Sequence, residues 1–152
     1  MTPIRILVAE DEALIRMDLV EMLGEAGYEV IAEAANGAEA IELATTHKPD
    51  LAILDVKMPV MDGITAAEQI IGISPVLMLT AFSQKELVDR ARDAGVMAYV
   101  VKPFTLSELL TTINTTLRKS AMADARSEVR LKELSARIIK LLPTNDEKDP
   151  IY

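Results

Sequence analysis

The chain has no cysteine, no tryptophan, one histidine, and aromatics at only 3% of its 152 residues. Without cysteine there is no disulfide framework, no thiolate metal site and no thiol nucleophile. With His47 as the one imidazole, a Ser-His-Asp triad is not expected and a histidine metal cluster is impossible. No apolar run approaches the roughly 20 residues of a membrane span, and no basic-then-apolar leader opens the chain. A cytoplasmic setting is expected. Scarce aromatics leave a core of Ile, Leu, Val, Ala and Met, and offer little for stacked bases. Positive charge is also thin: residues 1–118 hold 9 Lys and Arg against 18 Asp and Glu. That acidic body is not expected to bind nucleic acid. Residues 119–152 differ, with 7 basic side chains against 6 acidic ones.

What is present is a core and a rhythm. Half the residues are hydrophobic and 26% are charged, the balance of a globular domain. Five β-rich runs stand out: Ile4–Ala9, Glu29–Ala34, Leu51–Val56, Pro75–Thr80 and Val96–Val101. Their starts lie 25, 22, 24 and 21 residues apart, room for one strand, one helix and two loops each. The first, third and fourth are almost continuously apolar, as strands of a parallel sheet buried on both faces are. The second carries Glu29 and Glu33 and suits an edge.

Helical patterns fill the gaps. Residues 12–26 place Leu14, Met17 and Leu23 on one stripe, and Gly27 stops the helix. Residues 37–47 follow a cap at Asn36 and end before Lys48-Pro49-Asp50, a turn signal. Residues 64–71 and 84–94 read as shorter helices, the second between Ser83 and Gly95. Residues 105–118 open with Thr105 and, three positions on, Glu108, a capping box. Strand and helix alternate five times, which predicts a three-layer α/β sandwich with helices on both faces of a parallel sheet.

In such sheets ligands bind outside the carboxyl ends of the strands. Those ends carry Glu10-Asp11 after the first run, Asp55 in the third, Thr80 in the fourth and Lys102 after the fifth. The second run offers nothing comparable. Three acids brought together repel one another unless a cation joins them. Oxygen ligands without His or Cys point to Mg²⁺. Asp55 sits in the apolar stretch LAILDV, where an acid is costly without a role. A carboxylate can be the nucleophile of phosphoryl transfer, with the transition-state oxygens neutralised by a metal and a lysine. Lys102, followed by Pro103, and the Thr80 hydroxyl would supply such contacts.

Each fragment alone has a plainer reading: a solvated loop at Glu10-Asp11, an ordinary strand residue at Thr80, a loop lysine at Lys102. The conjunction is what carries information. Glu10-Asp11, Asp55 in LDVKMPVMDG (54–63), Thr80-Ala81 and Lys102-Pro103-Phe104 together resemble a bacterial response-regulator receiver domain of two-component signalling. The resemblance covers roughly residues 3–119. It implies a flavodoxin-like sheet of order 2-1-3-4-5, which sets Glu10 and Asp11 beside Asp55. It also implies phosphorylation of Asp55 by a histidine kinase or phosphotransfer protein. Mg²⁺ would be held by Asp11, Asp55 and the Lys57 backbone carbonyl, with Glu10 acting largely through water. Thr80 and Tyr99 match the positions coupling phosphorylation to the face of the fourth helix, fifth strand and fifth helix. Such a protein is a switch, not an enzyme. The rival enzyme is a Mg²⁺-dependent aspartyl-phosphate phosphatase of haloacid-dehalogenase type, but it needs a second Asp where Lys57 stands. A flavodoxin-like electron carrier needs aromatics about the flavin, and the loops offer only Phe82 and Phe104.

Beyond a receiver domain of 1–119, residues 120–142 read as a helical extension and 143–152 as a disordered polar tail. Leu131, Leu134, Ile138 and Leu141 recur at 3-4-3 spacing, a short heptad seam closed by Pro143. A seam that short is marginal alone. A weak homodimer strengthened by phosphorylation is therefore expected. The layout is similar to regulators in which a receiver precedes a coiled-coil linker and an RNA-binding antitermination domain, the latter absent here.

Overall fold

The computed structural model of the chain describes residues 2–81 and 85–139, with side chains described for 2–81 and 86–123. The elements are β1 (Arg5–Ala9), α1 (Ala13–Glu25), β2 (Glu29–Ala34), α2 (Gly37–His47), β3 (Leu51–Asp55), α3 (Gly63–Ile70), β4 (Val76–Thr80), α4 (Lys85–Asp93), β5 (Ala98–Val101) and α5 (Leu106–Ile139). The five strands form one sheet of order β2-β1-β3-β4-β5, all pairs parallel. β2 lies at an edge, as its acidic alternation predicts. The chain divides into two units, Met1–Leu117 and Arg118–Tyr152.

Alternation along the buried strands splits the core in two. Leu7, Ala9, Ala52, Leu54, Val76 and Met78 pack with Ala40 and Ala44 of α2 and Ile64, Ala67 and Ile70 of α3. Ile6, Val8, Leu51, Ile53, Leu77 and Leu79 face the other way, onto Leu19 and Leu23 of α1 and Leu109 and Ile113 of α5. Each fully buried Leu or Ile contributes about 1.5–3 kcal/mol.

Turn and cap chemistry is as the sequence indicates at most ends. Glu39 N donates to Asn36 Oδ1 at 2.9 Å and Glu108 N donates to Thr105 Oγ1 at 3.1 Å, the two N-caps. Gly27 and Gly95 take φ of +96° and +95° behind α1 and α4, left-handed conformations that favour glycine. The stripe of α1 is a correction. Leu19 and Leu23 are buried, whereas Leu14 and Met17 are 77% and 62% exposed. Apolar residues lie all round this helix, so periodicity alone did not select the buried face. The cap at Ser83 and the seam position Leu141 lie outside the described residues, as do the side chains of Leu131, Leu134 and Ile138 and the tail 143–152. The described backbone of α5 runs to Ile139.

Candidate metal and phosphoryl site

Parallel register assembles the site without help from sequence proximity. Ala9 pairs with Leu54, so Glu10 comes level with Asp55. Asp55 pairs with Leu79 and Thr80 with Val101, which sets Thr80 one step and Lys102 two steps further along the same edge. β1 then bends away at Glu10-Asp11. Carboxylate oxygens of Glu10, Asp11 and Asp55 lie within 4.8 Å of one another. A cleft of about 260 Å³ opens over them, its lining including Asp11, Asp55, Lys57, Thr80 and Lys102.

The loop between β3 and α3 is pressed tightly onto this edge. Met61 N donates to the Pro59 carbonyl at 2.7 Å, closing a three-residue turn. Val60 at its centre has φ +67°, costly for a β-branched residue, and is 84% exposed. Asp62 caps α3, its Oδ1 accepting from Thr65 N at 2.9 Å. Gly63 N donates to the Val56 carbonyl at 2.8 Å, and a Cβ there would collide with the Asp55 carbonyl oxygen. Gly37 N reaches the Met61 carbonyl at 2.9 Å from the start of α2, and its Cβ would come to 2.6 Å of that oxygen. Two glycines thus allow the loop bearing Lys57 to sit against the acids.

Electrostatics sharpen the picture. Lys102 Nζ lies 2.7 Å from Glu10 Oε1 and 3.3 Å from Asp55 Oδ2. Glu10 is fully buried, and its Oε2 has no hydrogen-bond partner among the described residues. Burial pushes Asp55 up to about 7, the hydrogen bond and charge of Glu10 add to this, and Lys102 pulls the other way. Burial also opposes ionisation of Glu10, but hydrogen bonds to Asp55 and Lys102 outweigh it and hold its carboxyl below the usual range. Lys102 is raised: desolvation works against its charge, and the two acids win. One lysine does not neutralise three carboxylates. The residual negative charge, the unpartnered Glu10 oxygen and the all-oxygen donor set fit a hard divalent cation such as Mg²⁺.

Of the residues singled out in the sequence, Glu10, Asp11, Asp55, Lys57, Thr80 and Lys102 converge on this edge. Glu10 makes a direct ion pair with Lys102. Tyr99 does not join them. It pairs with Met78, two residues (about 7 Å) below Thr80 in the register, and is 44% exposed. His47 is exposed at the end of α2.

Sequence reasoning missed Arg16, which donates to the Glu10 carbonyl at 2.6 Å, and Glu33, whose Oε1 lies 3.4 Å from Arg16 Nε. Arg16 thus links the end of β2 to the residue at which β1 leaves the sheet. Only the strand order reveals that β2 neighbours β1. The crowding at the two tight glycines also escaped the sequence reading, because the collisions are made in three dimensions.

A doubly wound parallel sheet with buried acids and a lysine at its carboxyl edge defines a class of phosphoryl-handling and regulatory domains. Within that class the chain belongs to the response regulator receiver domain family, whose model matches residues 6–114. It is 64% identical over 113 residues to the transcriptional regulatory protein PdtaR of Mycobacterium tuberculosis, covering 73% of this chain and 55% of PdtaR. The chain thus spans about half the length of that relative. The solved signal receiver domain of NarL from Mycobacterium tuberculosis matches with TM-score 0.74 and 30% identity, over 78% of this chain and 98% of NarL's. The CheX–CheY–BeF3–Mg²⁺ complex from Borrelia burgdorferi matches with TM-score 0.71 and 28% identity, over 74% of this chain and 88% of that one. The phosphatase reading finds no support in these matches. Among the described residues no helix is long and apolar enough to cross a membrane.

Proposed function

We propose that this chain receives a phosphoryl group on Asp55 from a histidine kinase or phosphotransfer protein and relays it as a conformational signal to a downstream output. The observation that carries the reading is the buried Asp55 carboxylate, 3.3 Å from Lys102 and clustered with two further acids. Asp11, Asp55 and the Lys57 carbonyl would hold Mg²⁺, with Glu10 behind them, and the ion would supply charge neutralisation to the phosphoryl oxygens. The remaining work belongs to the protein. Asp55 attacks as the carboxylate, the form that Lys102 favours. As the Asp55–phosphorus bond forms and the donor nitrogen–phosphorus bond breaks, Lys102 faces the developing negative charge. Thr80, buried at the end of β4, is placed to offer its hydroxyl to a phosphoryl oxygen. That capture changes the surface around Tyr99. The equilibrium shifts only by the difference in contact energy between the two states. Output by transcriptional control is supported by the likeness to PdtaR. A weak homodimer strengthened by phosphorylation belongs to the same reading.

Mass spectrometry after treatment with a small phosphodonor and Mg²⁺ tests this. One phosphoryl group should be added, and Asp55→Asn should add none. An adduct that survives in that variant removes Asp55 from the role. Thr80→Val should accept the group yet fail to change partner affinity.

A further inference from the structure

Glu10 is the residue at which the chain leaves the sheet, and its main chain is held from both sides. Its N–H donates to the Ala34 carbonyl at the end of β2, at 3.0 Å. Its carbonyl accepts from Arg16 Nη1 at 2.6 Å, and the same guanidinium presents Nε to Glu33 Oε1 at 3.4 Å. The Arg16 side chain is only 21% exposed. A peptide group is planar, so fixing the Glu10 oxygen fixes the plane whose nitrogen belongs to Asp11. Arg16 therefore decides the direction in which the exposed Asp11 departs from the sheet. Arginine suits the task because its rigid fork reaches two acceptors at once; a lysine amine is a single point.

We propose that Arg16, anchored by Glu33, is a positioning residue that aims the Asp11 carboxylate at Asp55 and so sets the affinity for the divalent cation. The inference rests on the reading of this edge as a Mg²⁺ site. Groups that orient a metal ligand through a hydrogen bond commonly control affinity without touching the metal. A cation near a Mg²⁺ site also acts through its charge, and that effect has the opposite sign. Removing a positive charge would tighten Mg²⁺ by relieving repulsion, whereas removing a clamp would weaken it. Glu33 offsets the guanidinium charge, which leaves the clamp as the dominant effect.

Calorimetric or NMR titration of the full chain with Mg²⁺ separates these cases. Arg16→Met should weaken Mg²⁺ about tenfold, Arg16→Lys should recover part of the loss, and Glu33→Gln should weaken it less than Arg16→Met. In the metal-free protein, the heteronuclear NOE of the Asp11 amide should fall in Arg16→Met, showing a loosened turn. A merely structural arginine would lower the melting temperature and leave Mg²⁺ affinity unchanged. That result, or tighter binding, overturns the proposal. Should Arg16→Met fail to fold, the other two variants decide it by the same criteria. Wild-type protein that binds no Mg²⁺ would instead remove the reading of the site, and the Asp11 NOE would still report on the clamp.

Discussion

The two ends of the sheet handle charge and space in opposite ways. At the amino end, Arg5 N donates to Asp50 Oδ2 at 2.9 Å, and the Arg5 guanidinium donates to the carbonyls of Lys48 and His47 at 3.1 and 2.9 Å. Those carbonyls close α2, where Lys48 takes a left-handed φ of +47°. Charge there serves the backbone, ending a helix whose last carbonyls would otherwise lack partners. At the carboxyl end Lys102 pairs with two of three clustered carboxylates, Glu10 and Asp55, and Glu10 Oε2 has no hydrogen-bond partner among the described residues. Backbone crowding at the glycines divides the same way: an added Cβ at Gly37 or Gly63 meets a carbonyl oxygen, while Gly24, Gly27 and Gly72 have nothing within 4 Å of one and Gly95 meets only the Ile71 side chain. One end is built to be satisfied; the other keeps unspent charge under tight backbone packing, the arrangement expected of a site.

The largest expected effect breaks the tight end. Gly63→Ala drives a Cβ into the Asp55 carbonyl oxygen, and the obstacle is backbone, which cannot swing aside. The β3–α3 loop or the end of β3 must move. Chemical denaturation should show a loss of at least about 3 kcal/mol, with phosphoryl acceptance lost in whatever remains folded. A variant of wild-type stability would mean that the loop is not seated against β3.

The second effect is a pH dependence confined to the carboxyl end. Asp55 is raised from 3.8 to about 7 in the folded, metal-free protein. Between those values the native state binds the proton more readily than the unfolded state does. The Asp55 contribution to stability must therefore fall as pH rises from about 4 to 7, and level off above that. Asp55→Asn should lose this slope and be the more stable protein at pH 8. Saturating Mg²⁺ should also remove it in the wild type. Parallel melting curves for wild type and variant across that window would remove the buried repulsion from the account.

What the sequence disclosed divides along the same line. Strand runs, helix stops at Gly27 and Gly95, and the acids at strand ends were legible because each depends on local chain chemistry. The buried face of α1 was not, since Leu14, Met17, Leu19 and Leu23 give that helix no unique apolar phase. Arg16 and Glu33 were invisible as partners because they lie in different elements, at the start of α1 and the end of β2. The strand order 2-1-3-4-5 came from the resemblance, and register then followed. The crowding at Gly37 and Gly63 was not legible, because local φ preferences say nothing about a carbonyl arriving from another element.

A smaller effect is expected at the satisfied end. Arg5→Met removes two hydrogen bonds to exposed carbonyls that water can replace, so the loss should be about 1 kcal/mol. Mg²⁺ affinity should be unchanged. Weakened Mg²⁺ would show that the two ends are coupled through β1.

The smallest effect has the opposite sign and tests the looseness of the amino end directly. Gly24 is the penultimate residue of α1, with no positive φ and no atom within 4 Å of an added Cβ. Alanine there meets no obstacle in the folded protein and narrows the conformations open to the unfolded chain. Gly24→Ala should therefore stabilise the protein by about 0.5 kcal/mol. The gain should fall at the low end of the usual range, because the Gly24 carbonyl already accepts from Gly27 N at 3.1 Å in the turn that ends the helix. The denaturation midpoint should rise with no change in slope, since the surface exposed on unfolding hardly changes. Set beside Gly63→Ala, the same added methyl would stabilise at one end of the sheet and destabilise several-fold more strongly at the other. Destabilisation by Gly24→Ala would show that the amino end is packed as closely as the site, and the contrast between the two ends would then rest on charge alone.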